Sequence, residues 1–132
     1  MNDSDILAVV IREVKGMLPG VWVADHLPEG EEMITHLPCV VIDLLPGSEA
    51  QVSWGGMQPV RLDHIALDVE VFGRSRGDAT PVADRVRAAL HQLPHLADTG
   101  VTSVDCPRMS TREDLNPHVK ALGVTVDLVM HV

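Results

Sequence analysis

Hydrophobic residues alternate with small or polar ones from Ala121 to Val132. The apolar positions of this run are Leu122, Val124, Val126, Leu128, Met130 and Val132. A period of two over this length is typical of a β-strand with one buried face. Residues 61–72 alternate in the same way, with Ile65, Leu67, Val69 and Val71 on one face and His64, Ala66, Asp68, Glu70 and Phe72 on the other. Two long strands with one buried face each are therefore predicted.

Two other stretches have the spacing of amphipathic helices. Near the N-terminus, apolar residues recur every three or four positions until Pro19-Gly20 ends the pattern; they are Ile6, Leu7, Val10, Ile11, Val14, Met17 and Leu18. A second helix is predicted over residues 80–93, with Thr80 as its N-cap, Pro81 as its first residue and Pro94 as its end. Pro is favoured at the first helical position because its missing N–H is not needed there.

Shorter apolar runs at residues 21–24, 37–45 and 101–104 predict three further strands. The order is then helix, strand, strand, strand, helix, strand, strand. This order predicts an α+β fold, with a mostly antiparallel sheet of four to five strands and two helices packed on one face. The chain shows no internal repeat and no linker, so residues 1–132 are predicted to form one domain.

Residues 46–59 are the least regular stretch and are predicted to form an extended loop or a hairpin arm. They contain Trp54 and Met57, separated by two glycines. A large apolar ring in a loop is typical of a contact that becomes buried on association. The alternative is that Trp54 folds back over the core of its own domain.

Composition narrows the choice of function. The formal net charge is −9, which opposes binding to nucleic acid and to anionic membrane surfaces. The chain has two Trp, one Phe and no Tyr, so it offers few rings on which bases could stack. No apolar run approaches the ~20 residues of a membrane span. Cys39 and Cys106 lie in apolar contexts and are predicted to be buried reduced thiols, which points to a cytosolic origin.

Two groups of residues could carry chemistry. His64, Asp68 and Glu70 share a strand face, which suits acid–base work or a metal, although a polar row is more often the face away from the core. His91 and His95 have the spacing of helical zinc ligands, but Pro94 lies between them. No nucleophile motif or glycine-rich phosphate loop is present. The chain is therefore predicted to be no enzyme and to hold no cofactor or metal.

Several ordered segments together resemble a known family. They are Met17-Leu18-Pro19-Gly20, Val21-Trp22-Val23, Leu37-Pro38-Cys39-Val40-Val41, Val71-Phe72-Gly73, Ala79-Thr80-Pro81-Val82-Ala83, Pro107-Arg108 and Glu113-Asp114-Leu115-Asn116-Pro117-His118-Val119. Over nearly its whole length the chain resembles the tail terminator, or tail-completion, proteins of long-tailed (siphovirus-type) phages, which are common in phages of actinobacterial hosts. One departure is Lys120-Ala121, where such proteins usually carry an aromatic residue.

The resemblance implies a structural virion protein that forms a homo-oligomeric ring, a hexamer. Such a ring is assembled in the host cytoplasm and sits at the head-proximal end of the tail. It caps the tube built by the major tail tube protein, stops its polymerisation and joins the tail to the head-completion (stopper) protein. Duplex DNA passes through the lumen without specific binding, and no membrane is involved. The alternatives are another head-to-tail connector ring component, a small metal-dependent enzyme using His64, Asp68 and Glu70, or a small-molecule-binding domain.

Two sets of residues are predicted to serve such a ring. The candidates for subunit contacts are Trp54, Met57, Arg108, Asp114 and Asn116. The candidates for an acidic lumen surface are Glu29, Glu31, Glu32 and Glu49. Surplus carboxylates facing a lumen would repel DNA phosphates and let the duplex slide.

Overall fold

The computed structural model describes the backbone of residues 3–45, 50–55, 58–96 and 99–131, and the side chains of residues 6–45, 64–96 and 99–130. The helices are α1 (Asp3–Met17), α2 (Glu32–Thr35) and α3 (Arg76–Gln92), the last followed by a 3-10 turn (Leu93–His95). The strands are β1 (Trp22–Ala24), β2 (Cys39–Leu44), β3 (Ala50–Gly55), β4 (Gln58–Gly73), β5 (Val101–Asp105), β6 (Ser110–Asn116) and β7 (Val119–His131).

Within the described ranges, seven strands form one sheet in the order β1-β2-β4-β7-β5, with β3 beside β4 and β6 beside β7. The two long strands, β4 and β7, are antiparallel neighbours from the pair Leu62↔His131 to the pair Gly73↔Lys120. β1 is parallel to β2, and the other pairs are antiparallel. The predicted α+β class with a mostly antiparallel sheet is confirmed.

The main core lies between this sheet and the two long helices. The apolar positions of β4 and β7 that alternation placed on one face are buried against α1 and α3. α1 contributes Ile6, Val10 and Val14, all fully buried, and α3 contributes Val86 and Leu90. Both helices therefore cover the same face, as predicted. The opposite side is called the outer face below.

A smaller apolar cluster covers one end of the outer face. It contains Met33 of the short helix α2, together with Leu37, Cys39, Phe72, Val119 and Ala121. Arg74, just after β4, donates hydrogen bonds to the carbonyls of Ile34 (2.8 Å) and Leu37 (3.4 Å). These contacts hold α2 against the sheet although it is only four residues long.

The second long helix begins earlier than predicted. α3 starts at Arg76, and the Ser75 hydroxyl caps it by accepting a hydrogen bond from the Asp78 amide at 3.0 Å. The predicted N-cap Thr80 instead lies within the helix, where its hydroxyl donates to the Arg76 carbonyl at 2.7 Å. Pro81 lies on an exposed face in the second turn of α3, and not at the first helical position.

The described ranges hold seven strands where four to five were predicted. β3 lies within residues 46–59, where a hairpin arm was one of the two predicted forms, and it pairs with β4. β6 lies in the acidic segment between Pro107 and Pro117, for which no strand was predicted. β6 has the sequence Ser-Thr-Arg-Glu-Asp-Leu-Asn and is largely exposed, so it lacks the apolar alternation of a half-buried strand. Cys39 and Cys106 are both free and buried, as predicted.

Candidate functional site

The polar residues predicted on one face of β4 do lie there, but an arginine side chain that the prediction did not include pairs with two of them. Asp68 and Glu70 lie on the outer face with side chains 26% and 29% exposed. Arg112 of β6 reaches across β7, and its Nη1 lies 2.7 Å from the Asp68 carboxylate and 3.7 Å from that of Glu70. The two carboxylates thus share one guanidinium.

Gly123 of β7 makes room for that arginine. A Cβ atom built on Gly123 would lie 2.6 Å from Cδ of Arg112, so the arginine side chain would have to move. Gly123 is the register partner of Glu70 on β4 and of Ser110 on β6. The glycine therefore lets the Arg112 side chain cross β7 to reach the carboxylates.

Glu70 is the weaker partner of Arg112. Burial raises the pKa of its carboxyl group, the neighbouring Asp68 charge raises it further, and Arg112 partly offsets both effects. Ionised Glu70 is therefore disfavoured in the folded chain relative to the unfolded one.

Glu70→Gln is accordingly expected to raise the free energy of unfolding at pH 7, by less than about 1 kcal/mol for so exposed a pair. The folded-state pKa lies above the unfolded one, so the wild-type chain gains stability as the pH falls between them, and the advantage of the variant shrinks there. Urea titrations at pH 7 and pH 5 measure this. The matched variant Asp68→Asn loses the 2.7 Å partner of Arg112 and should cost about 1 kcal/mol at pH 7. A Glu70→Gln variant less stable than wild type at pH 7 would contradict this account.

Three further carboxylates extend this surface. Asp43 of β2 lies directly opposite Asp68 of β4. Asp127 of β7 lies between Ala66 of β4 on one side and Asp105 of β5 on the other. Directly opposed residues share a face, so all three lie on the outer face, and all three are exposed. The outer face therefore carries an acidic band that spans β2, β4, β7 and β5.

Metal binding finds no support in this arrangement. Among the residues whose side chains are described, no three His, Cys, Asp or Glu side chains converge. His64 is exposed, and it lies four residues from Asp68 along β4, roughly 13 Å at the strand rise. His91 and His95 are also exposed, one in α3 and one in the 3-10 turn.

Two predicted contact residues take part in bonds within the chain. Oδ2 of Asp114 accepts a hydrogen bond from Lys120 at 3.1 Å, and its Oδ1 lies 3.5 Å from Arg76. Lys120 lowers the pKa of the Asp114 carboxyl group through this hydrogen bond. The Asn116 side chain accepts from the His118 amide at 2.8 Å and so shapes the turn from β6 to β7.

Arg108, the third candidate for a subunit contact whose side chain is described, makes no such bond to any other described side chain. Arg108 is exposed between β5 and β6, and no ion pair joins it to a carboxylate among the described side chains. It lines a cleft of about 540 Å³ between α3 and β6, together with Arg87 and Asp84. This cleft was not predicted, because its walls come from segments that only the fold brings together.

The remaining candidates divide in two. Glu29 and Glu31 are exposed in the turn between β1 and α2, and Glu32 is the exposed first residue of α2. Met57 and Glu49 lie outside the described residues, and of Trp54 only the backbone in β3 is described. The roles predicted for these six residues stay predictions.

Comparisons with known proteins place the fold. No family model and no curated protein sequence matches the chain. Among solved structures, it is similar to a chain in the virion of a native gene transfer agent particle. The match covers 96% of this chain and 92% of the other, with a TM-score of 0.57 and 14% identity. The similarity is thus one of fold, extending over almost the whole of both chains. None of the described helices is both long and apolar enough to cross a membrane.

Proposed function

We propose that this chain is a structural virion protein, and that it acts as a tail terminator. The observation that carries the proposal is the fold shared with a component of a gene transfer agent virion over 96% of the chain. The resemblance of the sequence to tail terminators supports the finer assignment. In this role, copies of the chain close into a ring, a hexamer, that caps the tail tube and joins it to the head-completion protein.

The sheet has features that suit ring formation. β1 lies at one end of the strand order, and β5 and β6 flank the other side of the central β4–β7 pair. Open strand edges invite pairing with a neighbour, and a closed ring uses them up. β3 pairs with the first residues of β4, from Gln58 to Asp63, and only the last two of these also pair with β7. A two-stranded ribbon is marginally stable alone, so we assign it to contact with a neighbouring copy, as predicted for residues 46–59.

The acidic band gives the lumen a candidate lining. The outer face carries five carboxylates, from Asp43, Asp68, Glu70, Asp105 and Asp127. Among the described side chains, only two of them share an ion pair, with Arg112. Turned toward the axis of the ring, this surface repels DNA phosphates and keeps the duplex from binding.

The proposal is tested by adding the purified chain to tubes growing from their cognate major tail tube protein. Tube lengths in negative-stain electron micrographs are expected to shorten as the chain is added, with a ring at one end of each capped tube. The heat-unfolded chain at equal concentration serves as the control. Tube lengths that stay unchanged at saturating protein would refute the terminator assignment.

A further inference from the structure

The cleft between α3 and β6 is a built, cationic surface. Nε of Arg87 donates a hydrogen bond to the Cys106 carbonyl at 2.8 Å, which ties the segment after β5 to the helix and fixes the guanidinium at the cleft wall. Arg108 projects from that same segment. Asp84 also lines the cleft and partly offsets the two positive charges. Among the described side chains, neither arginine makes an ion pair with a carboxylate, so both guanidinium groups can bind a partner.

A complementary surface follows the edge strand β1. Glu29, Glu31 and Glu32 fall within four residues, are all exposed, and make no ion pair among the described side chains. The turn that carries them is held in place, because buried Pro28 precedes it and Met33 of α2 is buried directly after it. Three carboxylates are thus presented on a fixed segment, which lowers the entropy lost when a partner binds them.

The two surfaces lie on different sides of the sheet. The cleft is on the helix side, between α3 and β6, whereas the Glu29–Glu32 turn leads into α2, which packs on the outer face. A ring is built from a head-to-tail contact, in which two different surfaces of the same chain meet. We propose that the carboxylates of the Glu29–Glu32 turn in one copy enter the Arg87–Arg108 cleft of the next copy. This inference rests on the proposed ring, and it moves these glutamates from the lumen to the subunit interface.

The chemistry favours this occupant over an uncharged segment. Guanidinium groups bind carboxylates through paired hydrogen bonds that fix orientation as well as adding energy. Copies that each carry nine surplus negative charges repel one another, and pairing these groups at the contact offsets part of that repulsion. Association through such pairs weakens as the salt concentration rises, since salt screens exposed charges.

Charge reversal tests the contact. Arg108→Glu alone, and Glu29→Arg, Glu31→Arg or Glu32→Arg alone, are each made and checked for wild-type thermal unfolding. Arg108→Glu is expected to raise the concentration for half-maximal ring formation, in solution or on tube ends, by about tenfold or more, because like charges then face each other. Combining it with at least one of the three glutamate reversals is expected to restore assembly. Arg85→Glu, on the exposed part of α3 outside the cleft, is the matched control and should assemble normally.

The outcomes separate this contact from the proposed function. If wild-type protein caps tubes and forms rings but Arg108→Glu does so equally well, the contact is wrong and the terminator role stands. The contact is equally refuted if no glutamate reversal restores the folded Arg108→Glu variant. If wild-type protein neither forms rings nor shortens tubes, the proposed function fails and the contact fails with it.

Discussion

Leu67→Ala is expected to lower the free energy of unfolding by about 3 kcal/mol, the usual cost of emptying a fully buried leucine site. Leu67 has no exposed surface, and in the central strand β4 it lies between Leu44 of β2 and Val126 of β7. Strands on both sides and helices on the apolar face hold its surroundings in place. The cavity therefore has little freedom to collapse.

Urea denaturation followed by circular dichroism measures this loss. Leu115→Ala is the matched control, because Leu115 on β6 is 49% exposed and the same truncation there should change stability by no more than about 0.5 kcal/mol. A loss below about 1 kcal/mol for Leu67→Ala would show that the core around β4 repacks, contrary to this description.

Gly123→Ala is expected to cost about 1 kcal/mol, because the added methyl group occupies the path of the flexible Arg112 side chain, which moves aside and loses its ion pair. Arg112 then has to leave the Asp68 carboxylate, and two half-buried acids lose their shared cation. Gly16→Ala is the matched control. Nothing lies within 4 Å of a Cβ at that position in α1, so the change should stabilise the chain by about 0.5–1 kcal/mol.

A double-mutant cycle assigns the cause of this loss. In an Arg112→Ala background the methyl group at Gly123 has no side chain to displace, so most of its cost should vanish. An equal cost in both backgrounds would place the strain in the β7 backbone instead of in the crossing arginine.

Sequence periodicity predicted the elements that have one solvent-exposed and one buried face. The alternation in β4 and β7 and the apolar stripe of α1 predicted both the elements and the faces that they bury. Periodicity did not predict β6, because nearly all of its seven residues are exposed to solvent, or α2, because it is a single turn. The start of α3 was misplaced because Ser75 competes with Thr80-Pro81 as a capping signal, and the capping hydrogen bond to Asp78 is visible only in the structure.

The candidate site was harder to predict for a different reason. Asp68 and Glu70 could be placed on one face from parity alone, but their partner Arg112 comes from a strand that was not predicted. Asp43, Asp105 and Asp127 join them only through register, which sequence spacing does not supply. The Arg87–Arg108 cleft likewise depends on α3 and β6 meeting across a long stretch of sequence.

The place of β7 in the sheet has a consequence for folding. β5 and β6 both pair with β7, which is translated after them. β4 also pairs with β7, although more than forty residues separate the two strands. A chain in which β7 has not yet formed has no scaffold for β6, and it therefore lacks the cleft between α3 and β6. The pairing of β4 with β7 is therefore a slow, non-local step on which completion of the sheet depends.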